Sequence, residues 1–136
     1  MAKLEWHLGL AVGHDQIDRE HRALVETLQR LHAPEIQQGG ATVVESSLLL
    51  LKGQAEAHFQ SEEALMAVHG YPGSPAHMAA HRDLLQQVDD LIADFRCGNA
   101  LLTKAVLAFL ATWLVEHIVG KDKALGDFLK RQAAGN

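Results

Sequence analysis

The sequence predicts an all-α protein whose four helices form an up-down-up-down antiparallel bundle, preceded by an extended N-terminal arm. Apolar residues recur at helical spacing in four separate stretches of the chain, and this pattern is typical of amphipathic helices. No stretch alternates apolar and polar residues over the length of a half-buried strand. The links between the four stretches are short, and short links join antiparallel neighbours in helical bundles.

The predicted helices cover roughly residues 16–33, 42–69, 75–97 and 101–119, with residues 1–14 as the arm and a short tail at the C-terminus. Asp15 or Asp18 can cap the first helix, because a carboxylate accepts hydrogen bonds from the free N–H groups of a first turn. Pro34 ends this helix, since proline cannot continue its hydrogen bonds. We expect Trp6 in the arm to pack on the bundle, and the tail from Lys121 to Lys130 to add a turn or two.

Turn residues mark the ends of the second and third helices. Thr42 is followed three residues later by Glu45, which is the spacing of a capping box at a helix start. Gly70 follows the second helix and suits the left-handed conformation of a helix end. Ser74 and Pro75 then supply an N-cap and a proline at the first position of the third helix. These signals predict a tight turn between the two helices.

Composition indicates a single domain and excludes several kinds of partner. The chain has 136 residues, 48% of them hydrophobic, which suits one globular domain. Its formal net charge of -5 disfavours binding to nucleic acid, which requires cations. Cys97 is the single cysteine, so no internal disulfide or thiolate metal site is expected, and we assign Cys97 no role.

The sequence also lacks targeting signals. The N-terminus has no apolar core of a signal peptide. The longest apolar stretch, Ala105–Val115, is far shorter than the ~20 residues of a membrane helix. We therefore expect a cytoplasmic protein with no membrane insertion.

Histidine is unusually frequent, with nine residues in the chain, and it is the commonest metal ligand in proteins. His58 and Glu62 are four residues apart on the second helix, so they share one face. His77 and His81 repeat this spacing on the third helix. The first and fourth helices carry one candidate ligand each: His21 and His117. The other histidines are expected to be solvated or to cap helix ends: His7, His14, His32 and His69.

The heights of these residues along the bundle predict two metal ions rather than one. Glu62 lies ten residues before Pro72 in the turn and His81 lies nine after it, so they have about the same height. His58 lies four residues beyond Glu62, and His77 lies four residues from His81, offsets of about 6 Å each. The Glu62 carboxylate is therefore placed between His58 and His77, where it can give one oxygen to each of two metals.

Asp122 is a further candidate ligand, although its spacing from His117 is not helical. A five-residue step turns a regular helix by about 140°, so the two side chains would not face one site. Gly120 lies between them and can release the backbone. We therefore expect the fourth helix to end or distort at Gly120, which would let Asp122 turn back toward the core.

Several segments together resemble the hemerythrin family, in particular its single-domain bacterial members. They are Val12-Gly13 leading into Ile17-Asp18-Arg19-Glu20-His21, His58-Phe59-Gln60-Ser61-Glu62-Glu63, Gly70-Tyr71-Pro72, His77-x3-His81, and Trp113-Leu114-Val115-Glu116-His117 with Asp122 after it. Each segment alone is weak, but the set is specific and covers nearly the whole chain. The expected residue type occupies all seven ligand positions of the family.

The resemblance implies a non-haem di-iron centre with an oxo or hydroxo bridge between the irons. One iron would have three histidine ligands: His77, His81 and His117. The other would keep an open position beside two histidines: His21 and His58. Two carboxylates would bridge both irons: Glu62 and Asp122. Five apolar residues near the ligands are implied to line an oxygen pocket: Leu24, Phe59, Trp113, Leu114 and Ile118.

The donor set favours reversible oxygen binding over turnover. Five neutral imidazoles and two carboxylates suit ferrous iron, whereas the Glu-x-x-His pairs of carboxylate-rich di-iron bundles are absent from the sequence. We therefore expect a monomer that binds dioxygen as a carrier, store or sensor, with an oxygen-consuming enzyme as a recipient. A di-iron peroxidase or oxidase, a nitric-oxide-handling enzyme, and an iron storage or delivery module remain the alternatives.

Overall fold

A computed structural model of the chain describes residues 8–31, 33, 38–96 and 104–134. Its helices, in chain order, are α1 (Asp15–Leu31), α2 (Ala41–His69), α3 (Ser74–Arg96), α4 (Lys104–His117) and α5 (Lys123–Ala133). A 3-10 turn at Leu8–Leu10 precedes α1, and a π-helical turn at Ile118–Asp122 joins α4 to α5 into one helical arm. The described residues contain no strand, and the predicted all-α four-helix bundle is confirmed.

The inward face of each helical arm continues from an apolar core into a polar region. On α1, Ile17, Leu24 and Leu28 are buried, and His21 lies in the same row. The rows on the other arms are alike: Leu51, Ala55, His58 and Glu62 on α2; His77, His81, Leu84 and Val88 on α3; Leu110, Leu114 and His117 on α4. Because residues three and four apart share a helix face, the candidate ligands occupy core positions of the bundle.

The start of α1 differs from the one predicted. The cap of this helix is His14, whose Nδ1 accepts a hydrogen bond from the N–H of Ile17 (3.4 Å). The prediction that Asp15 or Asp18 caps the first turn was wrong, because His14 holds the cap position. The Asp18 carboxylate instead accepts hydrogen bonds from the N–H groups of Val12 and Gly13, which precede the helix. The described part of the arm is also not extended throughout, since it begins with the Leu8–Leu10 turn.

Helix α2 begins after Gly40 and has no side-chain cap. The capping box predicted from Thr42 and Glu45 does not form, because the Glu45 carboxylate instead accepts a hydrogen bond from Arg96 Nε on α3 (2.8 Å). At the other end of the helix, Gly70 has the left-handed conformation expected of a helix end, with φ 61° and ψ 42°.

The fourth helical arm distorts near Gly120 but does not end there. The backbone N–H of Lys123 donates to the carbonyl of Ile118, five residues earlier, which is the hydrogen bond of a π turn. This wider turn places Asp122 one turn below His117. Gly120 is not among the described glycines with positive φ, so the distortion does not use left-handed glycine geometry. The tail predicted as a turn or two is the 11-residue helix α5.

Several predicted features lie outside the described residues: the packing of Trp6, the side chains of His7 and His32, the helix stop at Pro34, the helix start near Leu101, and Cys97. His69 is exposed and His14 is partly buried, and neither joins the buried polar region. No helix in the part of the chain that the structure describes combines the length and apolarity needed to span a membrane.

Candidate metal centre

Seven polar side chains meet in the interior of the bundle, and each is at most 6% exposed. All four helical arms contribute: His21 from α1, His58 and Glu62 from α2, His77 and His81 from α3, and His117 and Asp122 from the arm formed by α4 and the π turn. The structure thus brings together all seven residues that the sequence predicts as ligands. Burial of so many polar groups is costly unless they are paired or bind a ligand.

Glu62 lies between the histidines of α1, α2 and α3. Its Oε1 is 3.0 Å from His81 Nε2 and 3.4 Å from His77 Nε2. Its Oε2 is 3.4 Å from His58 Nε2 and 3.8 Å from His21 Nε2. The two oxygens of one carboxylate therefore face two different groups of imidazoles.

Asp122 divides its oxygens in the same way. Its Oδ1 is 2.8 Å from His77 Nε2 and 3.1 Å from His117 Nε2. Its Oδ2 is 2.7 Å from His21 Nε2 on the opposite side. The π turn makes this possible, because it aims the side chains of His117 and Asp122 at the same site.

The ligand atoms form two overlapping sets, and within each set they lie within 4.8 Å of one another. One set has five residues: Glu62, His77, His81, His117 and Asp122. The other has four residues: His21, His58, Glu62 and Asp122. Because both carboxylates belong to both sets, the geometry can hold two neighbouring metal ions that share Glu62 and Asp122.

Unpartnered atoms support a metal at each set. Among the described residues, five buried atoms that face the centre have no partner with hydrogen-bond geometry: Nε2 of His21, His58 and His117, Oε2 of Glu62 and Oδ2 of Asp122. Buried polar atoms are normally satisfied, so a cluster of unsatisfied ones requires an explanation. Imidazole nitrogens and carboxylate oxygens are suitable ligands for divalent transition metals such as iron, and the residues therefore fit a pair of such ions.

His58 and His77 carry protons at neutral pH when no metal is bound. Burial lowers the pKa of His58, but its hydrogen bond with Glu20 and the nearby Glu62 outweigh this effect and raise the pKa to about 10. Burial also lowers the pKa of His77, and the facing carboxylates of Asp122 and Glu62 raise it to about 9. A metal must displace these protons, so metal binding is expected to weaken as the pH falls.

The two shared carboxylates remain ionised in the same state. Burial and the charge of Asp122 raise the pKa of Glu62, but the facing histidines, first among them His58, lower it to about 2. Burial likewise raises the pKa of Asp122, and the facing His117 and His21 outweigh this and hold it well below its ordinary value. The centre therefore offers two anionic ligands to an incoming metal.

Comparison with known proteins identifies the family. The model of the hemerythrin HHE cation-binding domain matches residues 12–129 of the chain. The chain belongs to the hemerythrin family. The family predicted from the sequence motifs is thereby confirmed, and membership together with the buried histidine and carboxylate cluster fits a di-iron protein that binds dioxygen.

Individual hemerythrins are similar over nearly the whole chain. A bacteriohemerythrin of Stenotrophomonas maltophilia is 33% identical over 130 residues, which cover 96% of this chain and 84% of that protein. A myohemerythrin of Riftia pachyptila is 30% identical over 117 residues, covering 86% of each protein. The crystal structure of a wild-type hemerythrin superposes with a TM-score of 0.86 at 29% identity, covering 94% of this chain and 98% of that one.

Two glutamates that the sequence did not single out hold the outer nitrogens of two histidines of this hemerythrin centre. His58 Nδ1 lies 2.7 Å from Glu20 Oε1, and His81 Nδ1 lies 2.9 Å from Glu63 Oε2. Such carboxylates fix the orientation of an imidazole and leave Nε2 free to bind metal. The only sequence signal is that each glutamate directly adjoins a candidate ligand, since Glu20 precedes His21 and Glu63 follows Glu62.

Two aromatic rings stack on histidines of the five-residue set. Phe59 lies parallel to His81, with ring centroids 3.9 Å apart and an angle of 11° between the planes. Trp113 stacks on His117 with centroids 4.7 Å apart and an angle of 13°. These contacts limit the rotation of both imidazoles and keep water away from one side of the centre.

An apolar cavity of about 30 Å³ adjoins the centre. Ten residues line it: Leu24, Leu28, Leu51, Ala55, Phe59, Leu84, Val88, Leu110, Trp113 and Leu114. Four of the five predicted pocket residues are among them, whereas the fifth, Ile118, is buried but does not line the cavity. On each helical arm the lining includes residues one turn from a candidate ligand, so the cavity lies beside the polar region.

Proposed function

We propose that this protein binds dioxygen reversibly at a di-iron centre. One observation carries the proposal: two overlapping ligand sets share the buried carboxylates of Glu62 and Asp122. The three-histidine set would hold one iron through His77, His81 and His117. The two-histidine set would hold the other through His21 and His58. Two ferrous ions bound there would supply the two electrons that dioxygen accepts on binding and returns on release.

The two sets differ in a way that suits the binding of a small ligand. The set with His21 and His58 has one histidine fewer than the set with His77, His81 and His117. A metal in the smaller set would therefore have one protein ligand fewer, which would leave room for a small ligand. The apolar cavity adjoins the centre, so a small uncharged molecule can approach this metal without passing charged side chains.

The surrounding residues favour reversibility because they keep water and protons away. Phe59 and Trp113 cover two histidines, and leucines complete the cavity wall together with Val88 and Ala55. A dry apolar wall slows the delivery of protons and thereby the escape of reduced oxygen. Glu20 and Glu63 accept hydrogen bonds from His58 and His81, so each imidazole presents its Nε2 to the centre.

Anaerobic loading with ferrous ions followed by exposure to air tests the proposal. We expect two iron ions per chain, and a visible charge-transfer band that appears with oxygen and disappears when oxygen is removed. One iron per chain, or oxidation that does not reverse, would refute it. Steady consumption of peroxide or nitric oxide, faster than autoxidation, would instead establish the enzymatic alternatives.

We further propose that the protein acts as a cytoplasmic monomer and passes dioxygen to an oxygen-consuming enzyme. The single cysteine in the sequence supports a reducing compartment, where disulfides do not form. Light scattering of the iron-loaded protein at several concentrations tests the oligomeric state. A concentration-dependent mass would contradict the monomer.

A further inference from the structure

The N-terminal segment, residues 8–14, contacts α1 through Asp18 and α5 through Gly126. The Asp18 carboxylate on α1 accepts two backbone hydrogen bonds from this segment. Val12 N–H donates to Oδ1 at 2.8 Å, and Gly13 N–H donates to Oδ2 at 3.3 Å. Gly13 has a φ of 87°, a left-handed conformation that suits glycine and lets the chain turn into α1.

The other side of the same segment packs directly against α5. Gly126 is buried, and a Cβ atom added to it would lie 2.3 Å from the carbonyl oxygen of Val12 and 2.9 Å from the Val12 Cβ. The carbonyl is backbone and is fixed by the Asp18 hydrogen bonds next to it, so it cannot move aside as a flexible side chain would. Val12 is only 1% exposed, and the Leu8–Leu10 turn lies against the π turn at Ile118–Asp122.

These contacts lie close in sequence to two candidate ligands on different helical arms. Asp18 lies three residues before His21 on α1, and Gly126 lies four residues after Asp122, at the start of α5. The segment between them is therefore in contact with both α1 and α5 near the residues that make the His21 Nε2 to Asp122 Oδ2 contact of 2.7 Å.

We propose that Asp18, Val12 and Gly126 are positioning residues that hold Asp122 at the right distance from His21. The inference rests on the proposed function, because it assumes that Asp122 is shared by two metals. It also predicts an asymmetry. Asp122 Oδ2 faces His21 on α1, whereas its Oδ1 faces His77 and His117 on the opposite side. A shift of α5 away from α1 therefore opens the spacing to His21 first.

The experiment compares Gly126→Ala with the wild type in anaerobic titrations with ferrous ion, using competition with a chromophoric chelator. We expect the metal in the His77, His81 and His117 set to bind with unchanged affinity. The metal in the His21 and His58 set should bind ~10–100-fold more weakly, the range seen when the groups that orient a metal ligand are disturbed. Gly53→Ala is the matched control, because Gly53 also lies in a helix but has no atom within 4 Å of an added Cβ.

A second variant, Asp18→Asn, tests the other end of the segment without adding bulk. The amide retains only one acceptor oxygen, so we expect a smaller weakening of the same metal. This variant also provides the test if Gly126→Ala fails to fold, which circular dichroism of the metal-free protein reports. Equal weakening of both metals would indicate a merely structural role and overturn the proposal, as would unchanged binding of both metals in both folded variants.

The wild-type titration separates this inference from the proposed function. If the wild type binds fewer than two ferrous ions, the proposed function itself fails. If the wild type binds two ions and the folded variants also bind two with wild-type affinities, only the positioning role fails.

Discussion

The interior of the bundle has two halves that share the same helical rows and differ in chemistry. One half is filled by leucine, valine and isoleucine side chains, such as Leu48 and Val88, which are at most 2% exposed. The other half holds seven buried polar side chains, including atoms without hydrogen-bond partners. Apolar burial stabilises the fold by itself, whereas the polar half keeps buried atoms without hydrogen-bond partners until a metal binds. We infer that the apolar half specifies the fold and that metal binding stabilises the polar half.

The strongest test of this comparison is Asp122→Ala, which removes a carboxylate shared by both ligand sets. We expect loss of the paired centre, so that the protein no longer holds two coupled irons. Elemental analysis and magnetic measurements report this loss directly. Two coupled irons in the variant would show that Asp122 is not a shared ligand, and would contradict the role that we give to the π turn.

Leu48→Ala is the corresponding change in the apolar half. Leu48 is fully buried, and truncation of such a leucine costs about 2–5 kcal/mol of unfolding free energy. We expect this loss in denaturant unfolding of both metal-free and loaded protein, with two irons still bound. If the variant loses iron while it remains folded, the two halves are not energetically separate.

The pH dependence of the metal-free protein distinguishes the halves in another way. The pKa of His58 is raised to about 10, so its stabilisation is complete below about pH 6.5 and is lost as the pH rises through 10. The pKa of Glu62 is lowered to about 2, so its stabilisation is present above about pH 4.5 and is lost as the pH falls through 2. Urea unfolding of the metal-free protein should therefore show the greatest free energy of unfolding between about pH 4.5 and about pH 6.5.

Leu48→Ala serves as the control for this pH profile, because it adds no titrating group. The variant should give a curve of the same shape at lower stability. A wild-type profile that stays flat from pH 6.5 to 10 would contradict the coupling of His58 to its carboxylate partners.

Glu20→Gln is expected to have a moderate effect, on one metal only. Glutamine keeps the size of the side chain but removes the charge that faces His58 Nδ1. Loss of such an outer carboxylate typically weakens metal binding by ~10–100-fold, and here the metal of the His21 and His58 set should be affected. Glu63→Gln is the matched change on His81; if both variants weaken the same metal, the assignment of the two sets is wrong.

Gly120→Ala is expected to have the smallest effect. Gly120 is exposed, lies within the π turn and has no atom within 4 Å of an added Cβ. Since alanine restricts the unfolded chain more than glycine does, a gain of about 0.4–1 kcal/mol in unfolding free energy is expected. Both irons should remain bound, whereas loss of one iron would restore the special role of Gly120 that the sequence suggested.

The fold and the grouping of the candidate ligands could be predicted because both depend on spacing within regular helices. His58 with Glu62, and His77 with His81, are separated by four residues, and this interval fixes their shared face whatever surrounds them. The tight turn that contains Gly70 and Pro72 fixed the relative heights of the two pairs along the bundle. Asp122 required more than spacing, because its position depends on a single widened turn that a regular helix does not contain.

Other features could not be predicted because they depend on contacts between distant segments. Glu45 has the spacing of a capping box but binds Arg96 on another helix. Glu20 has no special spacing of its own and becomes relevant only because α1 and α2 bring it to His58. The contact between α5 and the N-terminal segment likewise depends on distant residues, because Gly126 packs against the Val12 backbone.

The small cavity has a consequence for chemical selectivity. Its volume of about 30 Å³ is far below the ~150 Å³ of an engineered apolar cavity that binds benzene. An organic molecule would therefore have to displace leucines and valines of the core, at a typical cost of about 1–3 kcal/mol for even a few added carbon atoms. We infer that the packing of the bundle favours diatomic gases over organic molecules in this cavity beside the metal centre.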